Sequence, residues 1–276
     1  YATYMPAPFL SLLIDDCIQK GMDYNAGGAR YNTSYIQGVG IGTITDALSA
    51  LKTHVFEQGT LSMSELLAIL AVDFQGAERQ RLLLMNRTPR YGNDDPAADE
   101  IMQRVFWAYH DTVTGRPNTR GGKYAIDMLP TTCHVYFGSV LGATPDGRLA
   151  GRPVSEGISP VQGADRHGPT AVLKSAARMD HLATGGTLLN QKFTPALLND
   201  EAGLDSLVQL VRTYFKLDGH HIQFNVVDVD TLRAAQANPA EHRDLIVRVA
   251  GYSDYFCDLS QSLQDEIIAR TEHQGI

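Results

Sequence analysis

The residues that could do chemistry in this chain are scattered. Cys17, Cys133 and Cys257 are widely spaced and form no CxxC pair. Paired thiolates are the minimal unit of a structural zinc site or a disulfide framework, so neither is expected. The simple reading is three reduced thiols. The nine histidines include the adjacent His220-His221, whose side chains would face opposite sides of a strand. No HExxH and no spaced His/Cys quartet occurs, so no bound metal is expected. The run Gly38-Val39-Gly40-Ile41-Gly42 is GxGxG rather than GxGxxG, with no acidic residue at a ribose-binding distance. It reads as a tight turn with close backbone approach. A hydrolytic triad is unsupported, because there is no GxSxG and Gly251-Tyr252-Ser253-Asp254 has no histidine close in sequence. What remains is the segment from Leu245 to Phe256, an apolar run that ends at Gly251 and continues into an aromatic-rich turn. By its residues alone, Gly251 is a glycine needed for a positive φ angle or for close packing.

The elements that must position these residues read as follows. Helical spacing covers 8–20, 45–56, 62–72, 79–85 and 97–113, with Ser62 and Glu65 placed as a capping box. The apolar, β-branched stretch from Tyr124 to Phe137 predicts a buried strand, which would point Met128, Pro130, Thr132 and His134 to one face. Residues 138–170 are rich in Gly and Pro and predict a long functional loop. Helices are predicted over 170–182, 199–215, 231–238 (capped by Asp230) and 255–271, with strands at 221–229 and 245–249. This alternation predicts an α/β fold. The 276 residues suffice for one large or two medium domains. Net charge is −8 with no Lys/Arg cluster, which argues against a nucleic-acid partner. No apolar run approaches the roughly 20 residues that cross a bilayer, and no signal peptide is visible. The chain opens on Tyr1-Ala2-Thr3-Tyr4, without methionine and close to an apolar element, so it reads as entered partway through a longer protein.

Arg248-Val249-Ala250-Gly251-Tyr252 resembles the glycyl radical motif of pyruvate formate-lyase and its relatives. Further segments resemble the same family in order along the chain: Asp15-Asp16-Cys17-Ile18, Asn25 to Tyr31, Thr144-Pro145-Asp146-Gly147-Arg148, Gly168 to Ser175, Gly186 to Asn190, His221 to Val226 and Leu263 to Glu272. The resemblance implies a ten-stranded α/β barrel. Residues 1–147 would supply part of its second half-barrel, and 148–276 would form the glycine radical domain. It implies a radical stored on Gly251. Glycine suits that role, since a radical delocalised into both flanking peptide groups needs a planar α-carbon that a side chain would crowd. It further implies installation of the radical by a radical S-adenosylmethionine activating enzyme, with no other bound cofactor, and a cysteine thiyl radical that attacks the substrate.

That cysteine lies in a Gly-Cys-Val-Glu context in the family, and no such motif occurs here, so it is expected upstream of Tyr1. The radical loop is expected to be closed and dry, with Tyr252, Tyr255 and Phe256 suited to bury it. The likeness is strongest to the branch that eliminates water, trimethylamine or sulfite from two- or three-carbon substrates. Met128, Pro130 and Thr132 are the expected pocket residues. Asp254 and the run Thr131 to Phe137 depart from the diol-dehydratase pattern, which argues against a simple diol. A homodimer is expected, either free in the cytoplasm or enclosed in a bacterial microcompartment. Two other readings are open: the acyltransferase reaction of pyruvate formate-lyase, and a non-catalytic radical domain that replaces an oxygen-damaged one.

Overall fold

The computed structural model describes residues 1–129 and 131–275. The chain opens with α1 (Pro8–Ser11), α2 (Asp15–Lys20), β1 (Ser34–Gln37) and α3 (Ile41–Ala50), which runs on as π-helical turns over Leu51–Glu57. Next come α4 (Met63–Ala71), α5 (Glu78–Arg87), α6 (Pro96–Val113), β2 (Tyr124–Asp127) and α7 (Cys133–Val140). A long irregular stretch leads to α8 (Pro169–Ala176), β3 (Leu189–Phe193), α9 (Glu201–Lys216), β4 (Ile222–Val226) and α10 (Val229–Ala237). The chain closes with β5 (Ile246–Arg248), β6 (Ser253–Tyr255), α11 (Gln261–Ala269) and β7 (Glu272–His273).

Helix starts follow their local chemistry. Ser62 and Glu65 form the reciprocal capping box on α4. Asp95 accepts from the Ala97 N–H ahead of Pro96 at the first turn of α6. Strand pairing is parallel wherever helices connect the strands, as crossover connections require. β1 pairs with β2, with Ser34 opposite Tyr124. β2 continues through a Met128–Thr187 bridge into the approach to β3, which lies between β4 and β7. The β3–β4 register sets Asn190 opposite Gln223 and Lys192 opposite Asn225. One face of these strands joins the main core through Leu189, Phe193, Ile126, Phe106 and Tyr214. A second core of Val247, Val249, Phe256, Leu263 and Ile267 lies beneath the β5–β6 hairpin.

Several boundaries differ from the sequence reading. Residues 8–20 break into two short helices around Leu12–Ile14. The third helix begins at Ile41 rather than Thr45, on a left-handed Gly40. The helix cap before Val229 is Asp228, whose carboxylate accepts from the Thr231 N–H, not Asp230. The long helix expected over 255–271 is β6, a 3-10 turn at Phe256–Asp258, and then α11. The strand expected over 124–137 ends at Asp127 with a single bridge at Met128, and Cys133 starts a helix. Short apolar runs fit either period. Here the buried positions are His134 and Gly138, four apart and therefore on one helical face. An added Cβ at Gly138 would lie 2.3 Å from the Arg152 carbonyl oxygen, so only glycine lets these backbones meet.

Candidate functional site around the Gly251 hairpin

Strands β5 and β6 form an antiparallel hairpin in which Arg248 faces Ser253. The Val249 N–H donates to the Tyr252 carbonyl at 2.9 Å, which leaves Ala250 and Gly251 as the two turn residues. Gly251 sits at φ +79°, the left-handed value a type II turn needs at its third position. Outside its chain neighbours, the one described heavy atom within 4 Å of an added Cβ would be Leu188 Cδ1, at 3.4 Å. Gly251 is thus required by backbone conformation more than by space. Its residue face is exposed in this chain, as are Tyr252 and Tyr255, whereas Phe256 is fully buried. Of the three aromatics expected to bury the loop, only Phe256 does so within this chain.

The hairpin is held by the second face of the β3–β4 pair. Period-two alternation turns Asn190, Lys192, Gln223 and Asn225 to one side, and all four are buried. Asn225 clamps the backbone of Arg248 from both ends. Its Oδ1 accepts from the Arg248 N–H at 2.7 Å, and its Nδ2 donates to the Arg248 carbonyl at 2.8 Å. Gln223 Oε1 accepts from Arg248 Nε at 3.1 Å and from the Gly251 N–H at 3.3 Å. The Gln223 Nε2 donates to Asn190 Oδ1. Lys192 Nζ donates to the Ile268 carbonyl at 2.9 Å, at the C-terminal end of α11, where a cation meets unpaired carbonyls. Burial nevertheless pushes the Lys192 ammonium down to about 8.

Behind the hairpin lies a buried ionic cluster. Arg270 forks onto Glu266 through Nε at 3.1 Å and Nη2 at 2.8 Å, and its Nη1 reaches the Arg248 carbonyl at 3.4 Å. Gln162 donates to Glu266 at 3.0 Å, and His134 Nε2 lies 3.5 Å from it. Burial works to raise the Glu266 carboxyl, but Arg270 and His134 outweigh it and hold the group well below the usual range. Glu156, buried nearby, is shifted the other way because burial prevails over Arg270. One charged fork thus joins α7, α11 and the strand that leads to Gly251.

The expected site residues fare differently. Gly251 lies at the tip of this hydrogen-bonded hairpin. Met128 is buried in the main core, and an added Cβ on Gly38 would meet its sulfur at 2.5 Å. Thr132 is the N-cap of α7 rather than a strand residue, so it does not alternate with Met128. Pro130 lies outside the described residues. His134, expected on the same strand face, points instead to Glu266. Asn225, Gln223, Glu266 and Arg270 escaped notice as site residues. The signs available were their places in two segments that resemble the family and, for Gln223 and Asn225, polar residues alternating within an otherwise apolar strand. The Thr144 to Arg148 segment has a structural job: Arg148 donates to the Leu149 and Arg152 carbonyls, and Gly147 at φ +90° packs on Met85. Cys17 is buried on α2, and Cys257 lies 3.3 Å from the His242 carbonyl. No described sulfur lies within 4 Å of the Gly251 Cβ position. Among the described residues, no group of three or more His, Cys, Asp or Glu could hold a metal, and no helix is long and apolar enough to cross a membrane.

Comparison with known proteins agrees with this architecture. The pyruvate formate lyase-like profile matches residues 1–138, and the glycine radical profile matches 154–257, which includes Gly251. The chain belongs to the pyruvate formate lyase-like family of glycyl radical proteins, and its α/β fold is part of that family's barrel. It is 61% identical to trans-4-hydroxy-L-proline dehydratase of Clostridioides difficile over 98% of this chain and 34% of that protein. The crystal structure of a hydroxyproline dehydratase from the same organism, with trans-4-hydroxy-L-proline bound, superposes with a TM-score of 0.96 at 60% identity, over 99% of this chain and 35% of that one. The B12-independent glycerol dehydratase of Clostridium butyricum gives 0.95 at 46% identity, over 99% of this chain and 35% of that one. The chain therefore spans about a third of the length of these relatives. The glycine radical domain implies a glycyl radical.

Proposed function

We propose that Gly251 stores the radical of an anaerobic enzyme that eliminates water from a small hydroxylated substrate, and that this chain is about a third of that enzyme. The observation that carries the reading is the hairpin itself. The match to the glycine radical profile includes a glycine at a positive φ, at the tip of a turn, whose own N–H and the backbone of Arg248 before it are held by buried amides. In this reading a radical S-adenosylmethionine activating enzyme takes one hydrogen atom from the Gly251 α-carbon. The glycyl radical then takes a hydrogen atom from a cysteine thiol upstream of Tyr1. The thiyl radical removes a hydrogen atom from the substrate, water leaves, and the cysteine returns the hydrogen atom to the product radical. The exposed face of Gly251, Tyr252 and Tyr255 is where upstream chain would close over the loop.

Residues 1–147 belong in this reading to the second half-barrel and 148–276 to the glycine radical domain, within a homodimer. Identity favours trans-4-hydroxy-L-proline as the first substrate to assay, which widens the expected two- or three-carbon class to a small ring. The test uses the full-length enzyme, activated without oxygen and offered trans-4-hydroxy-L-proline, glycerol and isethionate in parallel. Turnover of the first, with a glycyl electron paramagnetic resonance doublet that disappears in G251A, is expected. A doublet that persists in G251A would exclude Gly251 as the radical residue. Turnover of isethionate alone would replace dehydration by carbon–sulfur cleavage.

A further inference from the structure

Parallel strands covered on both faces ordinarily read as continuous apolar runs. The β3–β4 pair departs from this, with Asn190, Lys192, Gln223 and Asn225 buried on one face. A buried amide is costly unless its polar atoms are bonded, so each of these residues calls for a reason. Lys192 binds the end of α11, and Asn225 binds the Arg248 backbone. Gln223 reaches beyond the strand pair to Arg248 and Gly251, and it makes the one hydrogen bond that Gly251 has among the described residues.

We propose that Gln223 is a positioning residue for Gly251: its side-chain oxygen holds the Gly251 amide N–H and fixes the peptide group into which a radical on the α-carbon would spread. This rests on the reading of Gly251 as the radical residue. The register makes the arrangement directional. Asn190 stands opposite Gln223 and presents Oδ1 to its Nε2, so the Gln223 oxygen must face the hairpin. Arg248 Nε occupies that oxygen's other lone pair at 3.1 Å, which fixes the amide in the plane that reaches Gly251. Among the described residues no other hydrogen bond reaches the glycine itself, and only Leu188 approaches its Cβ position. Delocalisation needs the N–H, α-carbon and carbonyl to be coplanar, which φ +79° is not, so the α-carbon must turn about its own bonds as the radical forms, and the hydrogen bond on the N–H holds the preceding peptide group in place while it does.

The test uses the full-length enzyme, activated anaerobically, with electron–nuclear double resonance on the radical before and after exchange into deuterated water. In the unmodified enzyme the Gly251 amide appears as an exchangeable proton coupling. Q223M keeps the side-chain volume and removes the acceptor, so this coupling is expected to shift and the radical to decay several-fold faster without oxygen. Q223E keeps an oxygen in place, and the Arg248 guanidinium beside it favours the carboxylate, a stronger acceptor. Its coupling is expected to shift in the opposite sense. A merely structural role would lower the radical yield without moving the coupling. Couplings equal to the unmodified enzyme in both variants would overturn the proposal. If Q223M does not fold, Q223E decides alone, and an unmoved coupling in it overturns the proposal. Absence of a glycyl doublet in the unmodified enzyme, or its survival in G251A, would be a failure of the Gly251 reading. A doublet that G251A abolishes but neither Gln223 variant perturbs would leave that reading standing and remove the Gln223 role.

Discussion

Gly251 is set by its backbone conformation and Lys192 by its burial. An L-residue at φ +79° costs about 1 kcal/mol relative to glycine, and an alanine Cβ would touch only Leu188 Cδ1 at 3.4 Å. G251A is therefore expected to fold, with about 1 kcal/mol less stability in urea, while radical formation is lost entirely. A drop of more than about 3 kcal/mol would mean that the glycine serves packing above all. For Lys192 the sign of the pH effect is fixed by burial, which outweighs the neighbouring carboxylates. Burial pushes it from an ordinary 10.5 to about 8, so the folded chain binds this proton less tightly than the unfolded chain does. Stability from this group is therefore present at high pH and declines as pH falls from about 10.5 through about 8. In K192M that titration is gone, although the lost bonds to the α11 carbonyls impose a constant penalty. The stability difference between the unmodified protein and K192M should grow in favour of the unmodified protein by up to about 3 kcal/mol between pH 7.5 and 10.5. Parallel urea-denaturation profiles across that range would show that Lys192 keeps its ordinary affinity for the proton.

At the scale of elements, the hairpin depends on β4 more than on its own two short strands, since an isolated hairpin is marginal in water. Replacing Asn225 with alanine removes the partner of the Arg248 N–H and leaves its carbonyl only the 3.4 Å contact from Arg270 Nη1. Because Arg248 is only half-buried and water can reach it, the expected cost is about 2 kcal/mol rather than the full penalty of two buried orphans. That corresponds to about thirty-fold faster amide exchange at Arg248 by mass spectrometry, with little change in α6 or α9; uniform acceleration across the chain would mean that the clamp serves global stability instead. The same region shows what the sequence could reveal. The capping box at Ser62 and the long amphipathic α6 were legible because cap chemistry and a 3.6-residue period are local. The strand–helix boundary after Met128 was not, because α7 buries a histidine and a glycine, neither of which an apolar-period reading counts. His134 is turned inward by Glu266, more than a hundred residues away. Likewise Gln223 and Asn225 could be read as strand residues, but their service to Gly251 depends on the register of β4 and the approach of β5, which no local pattern encodes.

For the molecule as a whole, the arrangement predicts how activation would end in air. Oxygen that reacts with a radical on Gly251 would cut the backbone at the tip of the hairpin. The cut separates β5 from β6 covalently but removes no side chain of the second core, because Gly251 has none. Phe256, Leu263, Ile267 and Ile268 stay buried in the second core beneath the hairpin. At about 2 kcal/mol each for such side chains, this burial contributes on the order of 8 kcal/mol toward holding the severed C-terminal peptide, against the entropy of association. Lys192 on the end of α11 and the Glu266–Arg270 fork tie it further to β3 and β5. Air-exposed, previously activated enzyme should therefore show a new terminus at Gly251 by denaturing mass spectrometry, yet elute intact from size-exclusion chromatography at tens of micromolar. On dilution to nanomolar concentrations the peptide should leave. Unactivated enzyme treated in the same way should show no cut. Cleavage elsewhere in the chain would place the radical at another residue, and immediate loss of the peptide at high concentration would mean that the covalent turn, not the second core, holds the C-terminal elements in place.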